Sequence, residues 1–283
     1  MTKDHTVRRI EKSIRKFARR SSFYGMIYRK TEAKRGDRTL VITRYKVKGP
    51  KLKVAVVADL HGEYSTELIE ALKAEKPDII ACPGDLATVG EYDDRLVDPE
   101  RREKRLKTQD GALEFLREAV KIAPTYVSRG NHEWYDGDVY FDEVRKTGAV
   151  LLENEWMKFG DVWFGGQNSA RCGAKYKDGK EITEKNRKPD IEWLKDSPDG
   201  YRVLLNHHPE YYDLVEPYAD LILAGHNHGG QWRFFGRGIF APNQGFLPRY
   251  SKGMYGKMCV SSFANLTHYS SLFAGNNTQG FCE

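Results

Sequence analysis

LILAGHNHGG, residues 221–230, sets an apolar run against two histidines one residue apart. Leu221 to Ala224 reads as a short buried strand. In extended backbone the side chains at i and i+2 project to the same side, so His226 and His228 are expected to face one site together. Gly225, Gly229 and Gly230 let the following backbone turn sharply and approach a ligand closely. A metal site at the carboxyl end of a strand would be built this way, and it needs partners from elsewhere in the chain.

Working outward, the same pattern recurs. LKVAVVADLHG (52–62) is a near-continuous apolar strand that ends in Asp59 and His61, and PDIIACPGDL (77–86) is another that ends in Gly84 and Asp85. PTYVSRGNHEW (124–134) ends in Gly130, Asn131, His132 and Glu133, and YRVLLNHHPE (201–210) closes in His207 and His208. Between them, residues 66–76 are helical by spacing and stop at Pro77, and the charged stretch 91–121 is mostly helix, its first part a mobile insertion. Strands alternating with helices imply an α/β fold with a largely parallel sheet covered on both faces. Residues 39–47 add a strand rich in β-branched residues. AVLLENEWMKFGDVWFGG (149–166) reads instead as two strands joined by a turn at Gly160 and Asp161, so the topology changes in the second half. Residues 167–190 are a polar surface excursion.

The chain has 283 residues, 40% apolar and 12% aromatic, enough for a sizeable core. No apolar run approaches the roughly 20 residues of a membrane span, and the N-terminus lacks the apolar segment of a secretory signal, so a cytoplasmic protein is expected. Cys82, Cys172, Cys259 and Cys282 lie far apart, which argues for free thiols over a disulfide framework or zinc knuckle. Residues 1–53 hold 18 Lys and Arg against 4 Asp and Glu, leaving 28 against 36 in the remainder. The basic excess belongs to a tail, and a mildly acidic body excludes a dedicated nucleic-acid binder. Within that tail, residues 5–20 place Val7, Ile10, Ile14 and Phe17 on one side of a cationic helix. Such a helix suits peripheral contact with an anionic membrane, here the inner face, or a place packed on its own domain. The organisation is a basic amphipathic extension, 1–38, and one catalytic domain, 39–283.

Five strand ends thus carry Asp, His and Asn, on the side of an open α/β sheet where ligands bind. Carboxylate and amide oxygens mixed with imidazoles, and no thiolate, suit manganese, iron, zinc or magnesium, and there are too many donors for one ion. Two divalent metal ions are implied, and phosphate ester hydrolysis is the reaction that uses them.

D-x-H at 59–61, G-D at 84–85, G-N-H-E at 130–133, a histidine before H-P at 207 and G-H-x-H at 225–228 together resemble the calcineurin-like metallophosphoesterases. The resemblance covers roughly residues 39–265, and the trailing GGQ is similar to the bacterial YkuE-like phosphodiesterase branch. It implies a four-layer α/β/β/α sandwich of two mixed sheets. It also implies Asp59, His61 and His228 on one metal, Asn131, His207 and His226 on the other, and Asp85 bridging, with manganese the first choice of ion. His132 would face the phosphate as a catalytic residue, while a hydroxide bridging the metals attacks in line. His208 is then a neighbour of the site.

Two departures bear on substrate. GDLATVG lacks the Asp and Arg residues that follow G-D in the protein Ser/Thr phosphatases of this superfamily, whereas Arg129 stands before G-N-H-E as theirs does, a candidate phosphate-binding residue. The expected activity is a phosphodiesterase acting on a small or lipid-linked phosphoester. The alternatives are a nucleotide-diphospho-lipid pyrophosphatase of the UDP-diacylglucosamine type, a nuclease, and a non-catalytic metal-binding scaffold. Trp134, Tyr135, Trp232, Phe234 and Phe235 are candidates to line a substrate pocket. The tail from Thr267 departs from the family's ending.

Overall fold

A computed structural model describes residues 40–87, 110–133, 137–170, 176–177, 180–181, 189–229, 232–234, 237–241, 244–261 and 270–273. The amphipathic extension, the first part of the charged stretch, Trp134, Tyr135, Phe235, Cys172 and Cys282 lie outside them.

The first sheet holds β1 (Ile42–Tyr45), β2 (Val54–Val56), β3 (Ile79–Pro83), β4 (Thr125–Ser128), β5 (Val150–Leu152) and β17 (Ser270–Phe273), in the order β1-β17-β2-β3-β4-β5. Its neighbours run parallel except β17 and β2. The second sheet orders β15 (Gly253–Tyr255), β16 (Met258–Val260), β11 (Leu221–Ala224), β10 (Tyr201–Asn206), β7 (Val162–Gln167) and β6 (Glu155–Phe159). Its four inner strands are parallel and both edge strands antiparallel. Two-residue strands β8 (Tyr176–Lys177) and β9 (Lys180–Glu181) pair within the polar excursion. β12 (Trp232–Phe234), β13 (Arg237–Ala241) and β14 (Gly245–Phe246) make a small antiparallel sheet directly after the last histidine pair.

Alternation along the strands sorts the apolar side chains into layers. Ala55, Val57, Ile80, Cys82 and Val127 pack against helices α1 (Thr66–Glu75), α2 (Asp110–Ile122) and α3 (Gly137–Lys146) through Leu72, Phe115 and Phe141. Their alternates Val54, Val56, Ile79 and Ala81 face the other way and meet Phe164, Val203, Leu205 and Leu223 of the second sheet. Leu204, Ile222 and Val260 on that sheet's far side are covered by Leu194, from a 3-10 turn, and Val215 of α4 (Tyr212–Val215). The order helix, sheet, sheet, helix is the expected four-layer sandwich. Cys82 and Cys259 are buried free thiols within it. α1 forms because Leu68, Ile69 and Leu72 recur on one face; Ser65 Oγ accepts from Leu68 N at 3.2 Å, and Lys76 turns left-handed at its end (φ 48°).

One expectation needs correction. Residues 149–166 contain three strands, not two: the chain finishes the first sheet with β5, reverses at Asn154 (φ 55°), and begins the β6–β7 hairpin in the second. Asn154 N donates to Gly166 O at 2.8 Å and its side-chain oxygen accepts from Asn168 N at 2.9 Å, which fixes the crossing. The tail supplies β17, which lies between β1 and β2.

Candidate metal centre

The strands that approach one rim are β2, β3 and β4 from the first sheet and β10 and β11 from the second, and each stops short of its polar residues. Five of the seven assigned ligands then lie in the left-handed region: Asp59 (φ 58°), His61 (48°), Asp85 (53°), His226 (68°) and His228 (48°). Non-glycine residues seldom adopt this conformation, and they persist in it where the surrounding structure over-determines them. Here each loop is bound by the next. Asp59 N donates to Gly84 O at 3.2 Å, His61 N to Asp85 O at 3.1 Å, and Gly225 N to His207 O at 3.1 Å. His226 N donates to both carboxylate oxygens of Asp59, at 3.0 and 3.1 Å, and so ties the second sheet's rim to the first.

These turns overturn the extended geometry expected of G-H-x-H. His226 and His228 diverge: donor atoms of Asp59, His61 and His228 lie within 4.8 Å of one another, as do those of His207, His208 and His226. Asp85 belongs to two further groups of the same size, one with His61 and His132, the other with Asp59 and His207. Its Oδ2 is 3.1 Å from His207 Nε2 and 3.7 Å from His132 Nε2. A carboxylate shared between two donor sets is the position expected of a bridging ligand. His132 stands at the more open side, 28% exposed, with its ring centroid 4.5 Å from that of His61.

Do these residues fit a pair of cations? His207 is oriented by Pro83 O, 2.7 Å from its Nδ1, which places the other ring nitrogen toward Asp85 and Asp59. That nitrogen is buried 3.1 Å from Asp85 Oδ2, and Asn131 Oδ1 is buried without a hydrogen-bond partner. Imidazole nitrogens gathered around two fully buried carboxylates meet the chemical demand of a cation. Burial and mutual charge shift the titratable groups of this site. Burial raises Asp59 to about 7, with His207 opposing the rise and Asp85 adding to it. Burial would lower His207, but neighbouring Asp85 and Asp59 raise it to about 9. Burial would likewise raise Asp85, yet His207 and His132 hold it well below the carboxylate range. Burial also lowers His61 to about 4 and His228 to about 3, leaving both rings neutral, as ligation requires.

Glu133 has a role that sequence reading missed. It is 1% exposed, its Oε1 accepts from Ala87 N at 2.9 Å, and its Oε2 accepts from Asp85 N at 3.1 Å and Gly130 N at 2.7 Å. One carboxylate thus fixes the backbone on both sides of Asp85 and the start of the G-N-H-E loop. The available signal was an acid directly after the predicted site residues, where a buried strand end leaves amide groups to satisfy. Arg129 is buried. Its guanidinium is ion-paired with Glu153, which also holds Arg145 at 2.7 Å, and it lies 4.1 Å over the Phe141 ring. The group assigned from sequence to phosphate is thus engaged within the fold. Trp232 and Phe234 lie on β12, in the small sheet that follows His228.

The calcineurin-like phosphoesterase profile matches residues 52–230, and the chain belongs to that family. It is 27% identical over 220 residues to an uncharacterized metallophosphoesterase of Aquifex aeolicus (strain VF5), covering 74% of this chain and 76% of that one. It is 29% identical over 227 residues to the Campylobacter jejuni metallophosphoesterase Cj0846, covering 75% of this chain and 54% of that longer protein. Among solved structures, the Thermus thermophilus sulfate thiohydrolase SoxB matches at a TM-score of 0.45 and 13% identity, over 83% of this chain and 56% of that one. Family membership makes this chain a metal-dependent phosphoester hydrolase, and the family's chemistry implies two divalent ions. Among the described residues, no helix is long and apolar enough to cross a membrane.

Proposed function

We propose that this protein is a two-metal phosphodiesterase, most active with manganese, acting on a small or lipid-linked phosphodiester. The observation that carries the reading is the pair of donor groups sharing Asp85, one with His61 and His132 and the other with Asp59 and His207. Asp59, His61 and His228 would hold one ion, Asn131, His207 and His226 the other, and Asp85 would contribute to both. When bound, the ions neutralise the phosphate and supply an activated water for in-line displacement. The chain's own part is to fix the donors and to exclude bulk water from Asp59, Asp85 and His207, each at most 1% exposed. His132, held by its backbone N–H on Asp85 Oδ1 at 2.9 Å, presents its ring at the open side, where it donates to the leaving oxygen. The pairing of Arg129 with Glu153 supports a diester over a monoester, because a neutralised guanidinium offers less to a dianion.

Purified protein loaded with manganese is expected to hydrolyse an aryl phosphodiester faster than the matching monoester, and His132→Ala to lower that rate by about a hundredfold with both ions retained. Equal rates for variant and wild type would remove His132 from the mechanism. Nucleotide-diphospho lipids, cyclic nucleotides and oligonucleotides complete the panel; a strong preference for the first would select the pyrophosphatase reading.

Attachment to the inner membrane face rests on the sequence of residues 5–20. Each basic side chain near an anionic surface contributes on the order of 1 kcal/mol. The full chain is expected to sediment with anionic vesicles at low salt and to be released as salt rises. Charge reversal at Arg8, Arg9, Arg15 and Arg19 should abolish sedimentation, and persistence after it would assign those residues to packing.

A further inference from the structure

His208 and Glu210 take no part in the ligand set drawn above, yet both are built into its edge. β10 ends at Asn206, whose Nδ2 donates to His208 O at 2.8 Å, and Tyr211 N donates to the same carbonyl at 3.1 Å. The short turn this creates, opened by Pro209, carries Glu210 back beneath the preceding ring. His208 Nδ1 lies 3.0 Å from Glu210 Oε1, with the imidazole 1% and the carboxylate 20% exposed. The other side of the ring meets the candidate ligands: its centroid is 4.2 Å from that of His226, tilted by 50°, and 5.1 Å from that of His207, nearly perpendicular. Consecutive residues of an extended chain point to opposite sides. His207 is thereby anchored on Pro83 O, while His208 approaches His226 from the other direction.

We infer that His208 and Glu210 form a positioning pair that sets the orientation of His226 and hence the affinity of the metal position it shares with His207. The inference rests on the two-metal reading of the site. A carboxylate behind an imidazole fixes its tautomer and plane, and partners of this kind are worth 10–100-fold in metal affinity. Here the effect is relayed one ring further, from Glu210 through His208 to His226. It should fall on one metal position alone, because Asp59, His61 and His228 form a separate donor group.

The test is a titration of the full-length, metal-free protein with cobalt(II), followed by its visible absorption, for wild type, Glu210→Gln and His208→Phe. Wild type is expected to take up two equivalents. Glu210→Gln, which keeps size and removes charge, should weaken one equivalent by about tenfold or more and alter its absorption, leaving the other unchanged. His208→Phe keeps a ring against His226 but removes the nitrogen that meets Glu210, and should show the same selective loss; Glu210→Asp should restore part of it. Variants that bind both equivalents with wild-type affinity and spectrum overturn the inference. So does a loss of both equivalents together with a lower melting temperature of the metal-free protein, which would mark a purely structural role. A wild-type chain that binds no cobalt would overturn the two-metal reading itself.

Discussion

Asp85→Ala is expected to lower metal-dependent phosphodiester hydrolysis by at least about a thousandfold, well beyond the roughly 10–100-fold typical of a residue that only supports a ligand. Asp85 belongs to two donor groups, one with His61 and His132 and one with Asp59 and His207, so on the proposed assignment its removal would take a ligand from each ion and the carboxylate that lies near both His207 and His132. The backbone turn must be kept separate from the charge, because Asp85 is left-handed and its oxygen receives His132 N. Asp85→Asn addresses this. Asparagine tolerates the same backbone and preserves an acceptor, so a comparable loss there assigns the effect to the carboxylate. Metal content is measured beside the rate. Retention of two ions with a tenth of the wild-type activity would remove Asp85 from the bridging position.

Gly130→Ala is expected to destabilise the fold by about 3 kcal/mol or more, at the upper end of what overpacking costs. A Cβ at this position would overlap Asp85 Oδ1 and Asp85 N and stand 2.8 Å from Glu133 Oε2. Two of those atoms belong to backbone or to a buried carboxylate already bound to three amide groups, so neither can swing aside. The loop must move instead, and the metal site with it. Urea unfolding of the metal-free protein measures the first effect and manganese binding the second. A variant within about 0.5 kcal/mol of wild type that still binds two ions would show the contact to be slack. Gly84 is the reciprocal position: a Cβ there would lie 2.6 Å from Gly130 Cα and 2.8 Å from His207 Nδ1.

The strand ends were legible because an apolar run that stops at Asp or His leaves few alternatives to a buried strand opening on a polar site. Their order along the chain, each behind its strand, was enough to gather Asp59, Asp85 and His207 from two sheets into one group. Local backbone was not legible. The i, i+2 reading of His226 and His228 assumed extended structure, and only contacts from distant loops, such as Asp59 on His226 N, hold the left-handed turn that separates them. The change of sheet at Asn154 was hidden for a related reason: period-two alternation says that a residue faces a core, not which sheet carries it. β17 had no signal at all, since its placement depends on β1 and β2, more than two hundred residues earlier. The pairing of Arg129 with Glu153 was not legible either, because a guanidinium before the loop suits a phosphate and a buried acid equally well, and Glu153 is not adjacent in sequence.

The left-handed ligands also set a direction for evolutionary drift. A side chain in that region costs roughly 1–2 kcal/mol, less for aspartate, and glycine relieves it. In a duplicated gene released from selection for hydrolysis, changes to glycine at 59, 61, 85, 226 or 228 would each relax the backbone while deleting a donor. Loss of function would then proceed through sturdier intermediates, not through damaged ones. Descendants of such a chain that have become binding proteins should keep both sheets and their core, and should be recognised by glycines along the rim.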